Sequence, residues 1–154
     1  MLRIVLYQPE IPPNTGNIIR LCANTGCSLH LVGPLGFELD DRRMRRAGLD
    51  YREYAEVQLY PDLDTFLQHN QHPRLYAATT RATRAYHQLD FQAGDAILFG
   101  PETRGLPVEL LDAMDEASAF RIPMLPHSRS LNLSNAVAVV AYEGLRQLGF
   151  PALL

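Results

Sequence analysis

The stretch I-P-M-L-P-H-S-R-S-L-N-L-S-N-A, residues 122–136, joins a polar loop directly to an apolar helix pattern. Apolar side chains then recur at the spacing of one helix face: Leu133, Ala136, Val137, Val140, Ala141, Leu145 and Leu148. The polar residues therefore stand where a helix begins and several main-chain N–H groups lack partners. A plain N-cap at Ser130 or Asn132 is the alternative, but one cap needs only one such residue. The excess of polar groups favours a binding site at the start of the last helix.

Upstream of this stretch, short apolar strand patterns alternate with helical patterns. Strands are predicted at 3–7, 28–32, 55–59, 75–79, 95–99 and 119–122. Helices are predicted from Asn14 (as N-cap) to Gly26, at 40–48, at 61–72, at 107–114 and at 133–148, with 80–90 as a loop. This alternation predicts an α/β fold, in which a mostly parallel sheet has helices on both faces. The length of 154 residues predicts a single domain, 1–154.

Composition is that of an ordinary soluble protein, with 47% hydrophobic and 20% charged residues. No apolar run is long enough to span a membrane, and the N-terminus lacks signal-peptide architecture, so we expect a cytoplasmic protein. The net charge of −3 does not by itself indicate nucleic acid. All 14 positive residues are Arg, and Arg42, Arg43, Arg45 and Arg46 form a local cluster. Such a cluster can hold phosphates, or it can be a solvated face beside acidic residues.

The sequence contains no pattern for a metal site or a covalent nucleophile. Cys22 and Cys27 do not form a C-x-x-C pair, and they are interpreted as buried free thiols. The five histidines have no metal-ligand spacing, so we expect no metal. The G-x-G-x-x-G, phosphate-loop and G-x-S-x-G motifs are also absent.

Three polar loops each follow a predicted strand, at 9–20, 100–106 and 122–135. In an open α/β sheet, ligands bind outside the carboxyl ends of the strands, so we expect these loops to lie near one edge. Their amides, hydroxyls, guanidinium groups and single carboxylate at Glu102 suit recognition of a polar cofactor and a sugar or phosphate.

The same loops carry a resemblance to a known family. P-E-I-P-P-N-T-G-N-I-I-R (9–20), L-F-G-P-E-T-R-G-L (98–106) and I-P-M…S-R-S-L-N-L-S-N-A-V-A (122–138) resemble, in order, the three signature motifs of SPOUT-class RNA methyltransferases. The chain is most similar to the small, single-domain TrmL type, the tRNA 2′-O-methyltransferases of the wobble position. The resemblance implies a deep C-terminal trefoil knot and a homodimer whose last helix supplies much of the interface. Tyr142 on that helix is a candidate interface residue, with core packing as the alternative.

The resemblance also implies S-adenosylmethionine as the methyl donor, bound in a bent shape within the knot. The implied cofactor contacts are Ala78, Gly100, Ile122, Ser130 and Leu131.

The implied reaction methylates the ribose 2′-hydroxyl of cytidine or uridine at the wobble position of the tRNA anticodon loop. The family assigns proton removal to the residue matched by Arg20, with Asn14, Glu102, Ser130 and Asn132 holding Arg20 and the ribose. Because a guanidinium is normally charged, the alternative is that Arg20 stabilises the developing alkoxide. For Glu102 the alternative is a structural partner of a nearby guanidinium.

With no added RNA-binding domain, the same small body must grip the RNA. The candidates are Arg42, Arg43, Arg45, Arg46, Arg81, Arg84 and Arg129. Two other functions remain open on the sequence: 2′-O-methylation of a different RNA site, and a non-catalytic RNA-binding dimer that kept the fold.

Overall fold

The computed structural model contains a six-stranded sheet with the strand order β3-β2-β1-β5-β4-β6. Every pair of neighbouring strands is parallel. The strands are β1 (Arg3–Tyr7), β2 (Ser28–Val32), β3 (Gln58–Tyr60), β4 (Leu75–Ala78), β5 (Ala96–Phe99) and β6 (Ala119–Phe120). The structure describes the main chain of residues 1–154 and every side chain except those at positions 51 and 55.

Helices connect the strands. They are α1 (Pro12–Thr25), α2 (Asp41–Arg46), α3 (Tyr51–Ala55), α4 (Leu63–His69), α5 (Val108–Asp112) and α6 (Leu133–Gln147). Short 3-10 turns occupy Tyr86–Gln88 and Glu116–Ser118. None of the helices that the described residues form combines the length and the apolar character needed to cross a bilayer.

Side chains alternate across the sheet and build a core on each face. Ile4 and Leu6 of β1 join Ile18 of α1 and Val137 of α6 in the larger core cluster. Val5, on the opposite face of β1, joins a second cluster with Phe66 of α4, and residues of α5 pack against it. This arrangement confirms the predicted α/β architecture, with helices on both faces of a parallel sheet.

The structure corrects the predicted start of the first helix. Helix α1 begins at Pro12, with Ile11 as its N-cap, so Asn14 lies inside the first turn and is not the cap. Proline is well suited to the first turn of a helix, because its ring presets φ and its missing N–H is not needed there.

A further correction concerns the region before β3. Residues 51–55 form helix α3, which the sequence analysis did not predict, and the strand predicted at 55–59 begins at Gln58. Asp50 and Glu53 form a capping box that starts this helix.

The C-terminal part of the chain is tied to the loop that follows β4. The Gln147 amide of α6 donates to the Leu89 carbonyl at 3.0 Å and accepts from the Phe91 N–H at 2.8 Å. A parallel bridge also pairs Ala85 with Arg121. These contacts are compatible with the trefoil knot that the resemblance implies, and the knot itself stays a prediction.

Candidate active site

The carboxyl ends of three adjacent strands meet at one edge of the sheet. Ala77 of β4 pairs with Leu98 of β5, and Ala78 pairs with Phe120 of β6. The strand order β5-β4-β6 therefore brings the ends of these strands side by side. Ala78 ends β4, Gly100 follows β5, and Ile122 lies just beyond β6. Three of the predicted cofactor contacts thus share this edge, as expected of a ligand site in a parallel sheet.

Gly100 is required by the close approach of its own loop. A Cβ at this position would lie 2.5 Å from the Gly105 carbonyl carbon, closer than real side chains come to main chain. The loop closes through a hydrogen bond from the Gly105 N–H to the Pro101 carbonyl at 2.9 Å, and Gly105 has a φ of 67°. Glycine favours that backbone conformation because it has no Cβ to clash there. The two glycines of L-F-G-P-E-T-R-G-L therefore shape a tight turn at the sheet edge.

Glu102 on this turn caps helix α1. Its carboxylate accepts hydrogen bonds from the N–H groups of Glu10 at 2.8 Å and Ile11 at 3.1 Å. The helix has no side-chain cap of its own at Ile11, so a carboxylate 91 residues away supplies one. A negative charge at a helix N-terminus also interacts favourably with the helix dipole. Glu102 thereby fixes the start of α1 against the loop after β5.

Glu10 makes the reciprocal connection. Its carboxylate accepts hydrogen bonds from Thr103, from the N–H at 3.0 Å and from the hydroxyl at 2.7 Å. These hydrogen bonds lower the pKa of Glu10, so the group is a carboxylate at neutral pH. Each loop thus supplies an acidic side chain to the other's main chain. Glu10 and Thr103 were not among the predicted site residues, although the dipeptide P-E occurs in both loops, at 9–10 and 101–102.

An amide chain links this junction to the last helix. The Asn14 amide nitrogen lies 3.4 Å from the Glu102 carboxylate, and the Asn14 oxygen accepts from the Asn132 amide at 2.8 Å. Asn132 is also the N-cap of α6, and its oxygen accepts from the Ser134 N–H at 2.9 Å. The cap interpretation of this stretch is therefore correct for Asn132. The same side chain also joins the first and third loops, which places Asn14, Glu102 and Asn132 together.

Ser130 and Leu131 precede this cap in an exposed stretch of chain. Both are exposed, and the Leu131 side chain retains 42% of its accessible surface. Neither lies in the core, so both are available to a ligand placed beside Gly100 and Ile122.

Arg20 lies away from the Asn14–Glu102–Asn132 chain. Its Nε is 2.5 Å from a carboxylate oxygen of Glu53, and it also donates to the Gly48 carbonyl. Arg20 follows Asn14 by six positions on α1, a rise of roughly 9 Å along the helix. In one copy of the chain, therefore, the predicted proton-removing residue belongs to a separate cluster. The sequence analysis did not single out Glu53.

The predicted RNA-binding arginines fall into two groups. Arg42, Arg45 and Arg46 are exposed and line an open groove on α2 with Asp41, and Arg43 sits 3.7 Å from Asp40. Arg81 and Arg129 are exposed as well.

Arg84, another predicted RNA-binding residue, is half-buried and contacts the main chain of its own subunit. Its guanidinium donates to the main-chain carbonyls of Ala117 at 3.0 Å and Gln88 at 2.8 Å, so it ties two loops together.

The two cysteines, Cys22 and Cys27, belong to the larger core cluster. Cys22 and Cys27 are buried, and burial raises the pKa of both thiols, which disfavours the thiolate. Among the residues the structure describes, no group of three His, Cys, Asp or Glu side chains is arranged to hold a metal ion.

The parallel sheet and the three joined loops have the layout that the family resemblance implies, and a comparison with protein families gives the class of protein. The model of the SpoU rRNA Methylase family matches residues 1–142, so the chain belongs to this family. This confirms the family resemblance read from the three motifs.

Individual relatives are similar over nearly their whole length. The chain is 61% identical over 150 residues to the tRNA (cytidine(34)-2′-O)-methyltransferase of Aeromonas hydrophila, covering 97% of this chain and 96% of that protein. It is 59% identical over 151 residues to the protein of the same name from Escherichia coli K12, covering 98% and 96%.

Solved structures show the same fold. One that concerns 2-OH methylation of C/U34 on tRNA has a TM-score of 0.88 at 45% identity, with 97% of both chains covered. The AdoMet-bound rRNA methyltransferase of Sinorhizobium meliloti has a TM-score of 0.81 at 25% identity, with 96% of this chain and 56% of that chain covered.

Proposed function

We propose that this chain transfers the methyl group of S-adenosylmethionine to the ribose 2′-hydroxyl of the wobble nucleotide, cytidine or uridine, of tRNA. The observation that carries the proposal is the junction in which Glu102 caps α1 and the Asn14–Asn132 pair joins the first and third motifs. Relatives at about 60% identity are named for this reaction at cytidine 34, which supports the same substrate here.

The sheet edge fits the methyl donor. Ala78 and Ile122 offer apolar surface for an adenine ring, and both pack against the larger core cluster. Gly100, where a side chain would clash, and the exposed chain around Ser130 and Leu131 offer main-chain groups for the polar parts. The donor supplies an already activated sulfonium methyl group. The protein must mainly align oxygen, carbon and sulfur and assist loss of the hydroxyl proton.

The polar chain at the edge is suited to hold the ribose. Glu102 and Asn132 lie on either side of Asn14, so their orientations are mutually fixed before substrate arrives. Such preorganised groups cost little reorganisation during the reaction. The guanidinium of Arg20 would stabilise a phosphate or the developing alkoxide through its N–H donors.

We propose that a second copy of the chain brings Arg20 to this edge, since within one copy Arg20 contacts Glu53 instead. The face of α6 and the loop before it support a homodimer. Tyr142 is 48% exposed and Val139 38%, while Leu125 in the preceding loop is 81% exposed. The exposure of Tyr142 supports a place at the proposed interface over packing in the core.

The RNA partner is proposed to be the anticodon loop of tRNA, gripped by the exposed arginines of α2 together with Arg81 and Arg129. The proposed activity needs cytoplasmic tRNA as its substrate. We therefore propose that the protein is located in the cytoplasm.

The test is tritium transfer from labelled S-adenosylmethionine to a tRNA transcript with cytidine or uridine at position 34. A matched transcript with a 2′-deoxyribose at that position alone is the control. We expect label in the first and none in the second. Equal label in both, or label in ribosomal RNA only, would assign the chain to a different RNA site. Binding of the donor without transfer to any RNA would favour a non-catalytic dimer.

A further inference from the structure

Arg20 is held in a defined orientation by one acidic partner. Its Nε and Nη2 face the two carboxylate oxygens of Glu53, at 2.5 and 3.2 Å, and Nη2 also donates to the Gly48 carbonyl. Two-point pairing of this kind fixes the plane of a guanidinium as well as its position. The Arg20 side chain keeps 48% of its accessible surface, so the rest of the group faces solvent.

Glu53 is itself held in place. One of its oxygens accepts from the Asp50 N–H at 2.7 Å, while the Glu53 N–H donates to the Asp50 carboxylate at 3.1 Å. This capping box starts α3 and leaves only 17% of the Glu53 side chain exposed. The carboxylate that receives Arg20 is therefore oriented before any substrate binds.

The segment around Glu53 also connects Arg20 to the arginine-rich helix. Residues 47–50 link α2 to α3 and pack on α1. The packing is close, because a Cβ built at Gly16 of α1 would lie 3.4 Å from the Ala47 side chain. Leu49 in this link is only 5% exposed and belongs to the larger core cluster. Arg20, Glu53 and the basic surface of α2 are thus carried on one packed unit.

We infer that Glu53 is a positioning residue for the methyl-transfer reaction, which rests on the function proposed above. Glu53 binds Nε and Nη2 of Arg20, so that Nη1 is directed outward toward an anionic oxygen of the RNA. In this setting Arg20 is oriented to hold an anionic oxygen of the substrate.

The test compares Glu53→Gln with Glu56→Gln, a charge-matched change at an exposed position of the same segment. Gln keeps an acceptor for the Asp50 N–H, so the capping box is retained. We expect Glu53→Gln to lower kcat by about 10- to 100-fold, the scale of losses caused by a misplaced reacting group. The affinity for S-adenosylmethionine by calorimetry should stay within about twofold, and Glu56→Gln should match wild type.

Two further variants separate positioning from a general structural effect. Glu53→Asp keeps the charge but withdraws the carboxylate by one methylene, and an intermediate loss of kcat is expected. If Glu53 acts through Arg20, adding Glu53→Gln to Arg20→Lys should cause little additional loss. Wild-type kcat in both Glu53 variants would overturn the inference, as would full additivity with Arg20→Lys. Absence of methyl transfer by the wild-type chain would instead overturn the proposed function.

Discussion

Glu102 offers the sharpest test of how the site is assembled, because one side chain caps a helix that lies far away in sequence. Glu102→Ala removes acceptors for two main-chain N–H groups at 2.8 and 3.1 Å, and for the Asn14 amide at 3.4 Å. The loss of a helix cap costs about 0.5–2 kcal/mol. The charge and the additional amide contact place Glu102 at the upper end, about 2 kcal/mol.

For a chain of this length, about 2 kcal/mol lowers Tm by roughly 4–8 °C. Differential scanning calorimetry measures this directly, with Glu38→Ala, an exposed acidic residue in a loop, as the control. Glu102→Gln keeps an acceptor oxygen and should lose about half as much. If the carboxylate also faces the ribose, the rate of methyl transfer by Glu102→Gln should fall by more than its loss of folded protein explains. A Tm for Glu102→Ala equal to that of wild type would refute the capping argument.

Three other perturbations follow from the structure. His30 is buried between Ser28 and Tyr60, and its pKa is lowered to about 4, first by burial and then by nearby Arg3. The unfolded state binds this proton more tightly than the folded state does. The free energy of unfolding is therefore highest above about pH 6.5 and falls as the pH drops toward 4, by about 2 kcal/mol between pH 7 and 5. Urea unfolding of His30→Gln should show a smaller difference between those two pH values, whereas exposed His87→Gln should behave as wild type. Gly100→Ala should lower the free energy of unfolding by about 1–3 kcal/mol and weaken S-adenosylmethionine binding, since its methyl group meets the Gly105 main chain; unchanged calorimetric affinity would contradict this. Charge reversal at Arg42 and Arg43 should weaken tRNA binding and reduce its salt slope by about 1–2, while cofactor affinity stays constant; an unaltered gel shift at low and moderate salt would count against it.

Much of the fold follows from local pattern. β1 and β2 occupy the residues that apolar, β-branched composition predicts, and α6 follows the periodicity from Leu133 onward. The shared edge of the three polar loops also follows, because parallel strands present their carboxyl ends together. Local pattern misses α3, although Asp50 and Glu53 have the spacing of a capping box, which is the signal that could have found this helix.

The pairing of side chains within the site does not follow from the sequence in the same way. Asn14 carries the residue type of an N-cap, yet the helix begins earlier and Asn14 reaches Asn132 across 118 positions. Glu53 and Arg20 are likewise 33 positions apart and meet only because the 47–50 link packs on α1. Contacts of this kind depend on how helices and strands pack in three dimensions. The spacing of residues along the sequence therefore does not predict them. The family motifs name candidate site residues, and the structure shows which of these residues contact each other.

The central claim is that the loops joined by Glu102, Asn14 and Asn132 form a site for methylating one ribose. The most direct measurement is a map of 2′-O-methylated riboses in bulk tRNA from cells that lack this chain, compared with the same cells carrying it again. We expect methylation to disappear at position 34 of particular tRNAs with cytidine or uridine there. It should return with the wild-type chain but not with Glu102→Ala. Intact methylation at position 34, with a loss at some other ribose, would contradict the central claim.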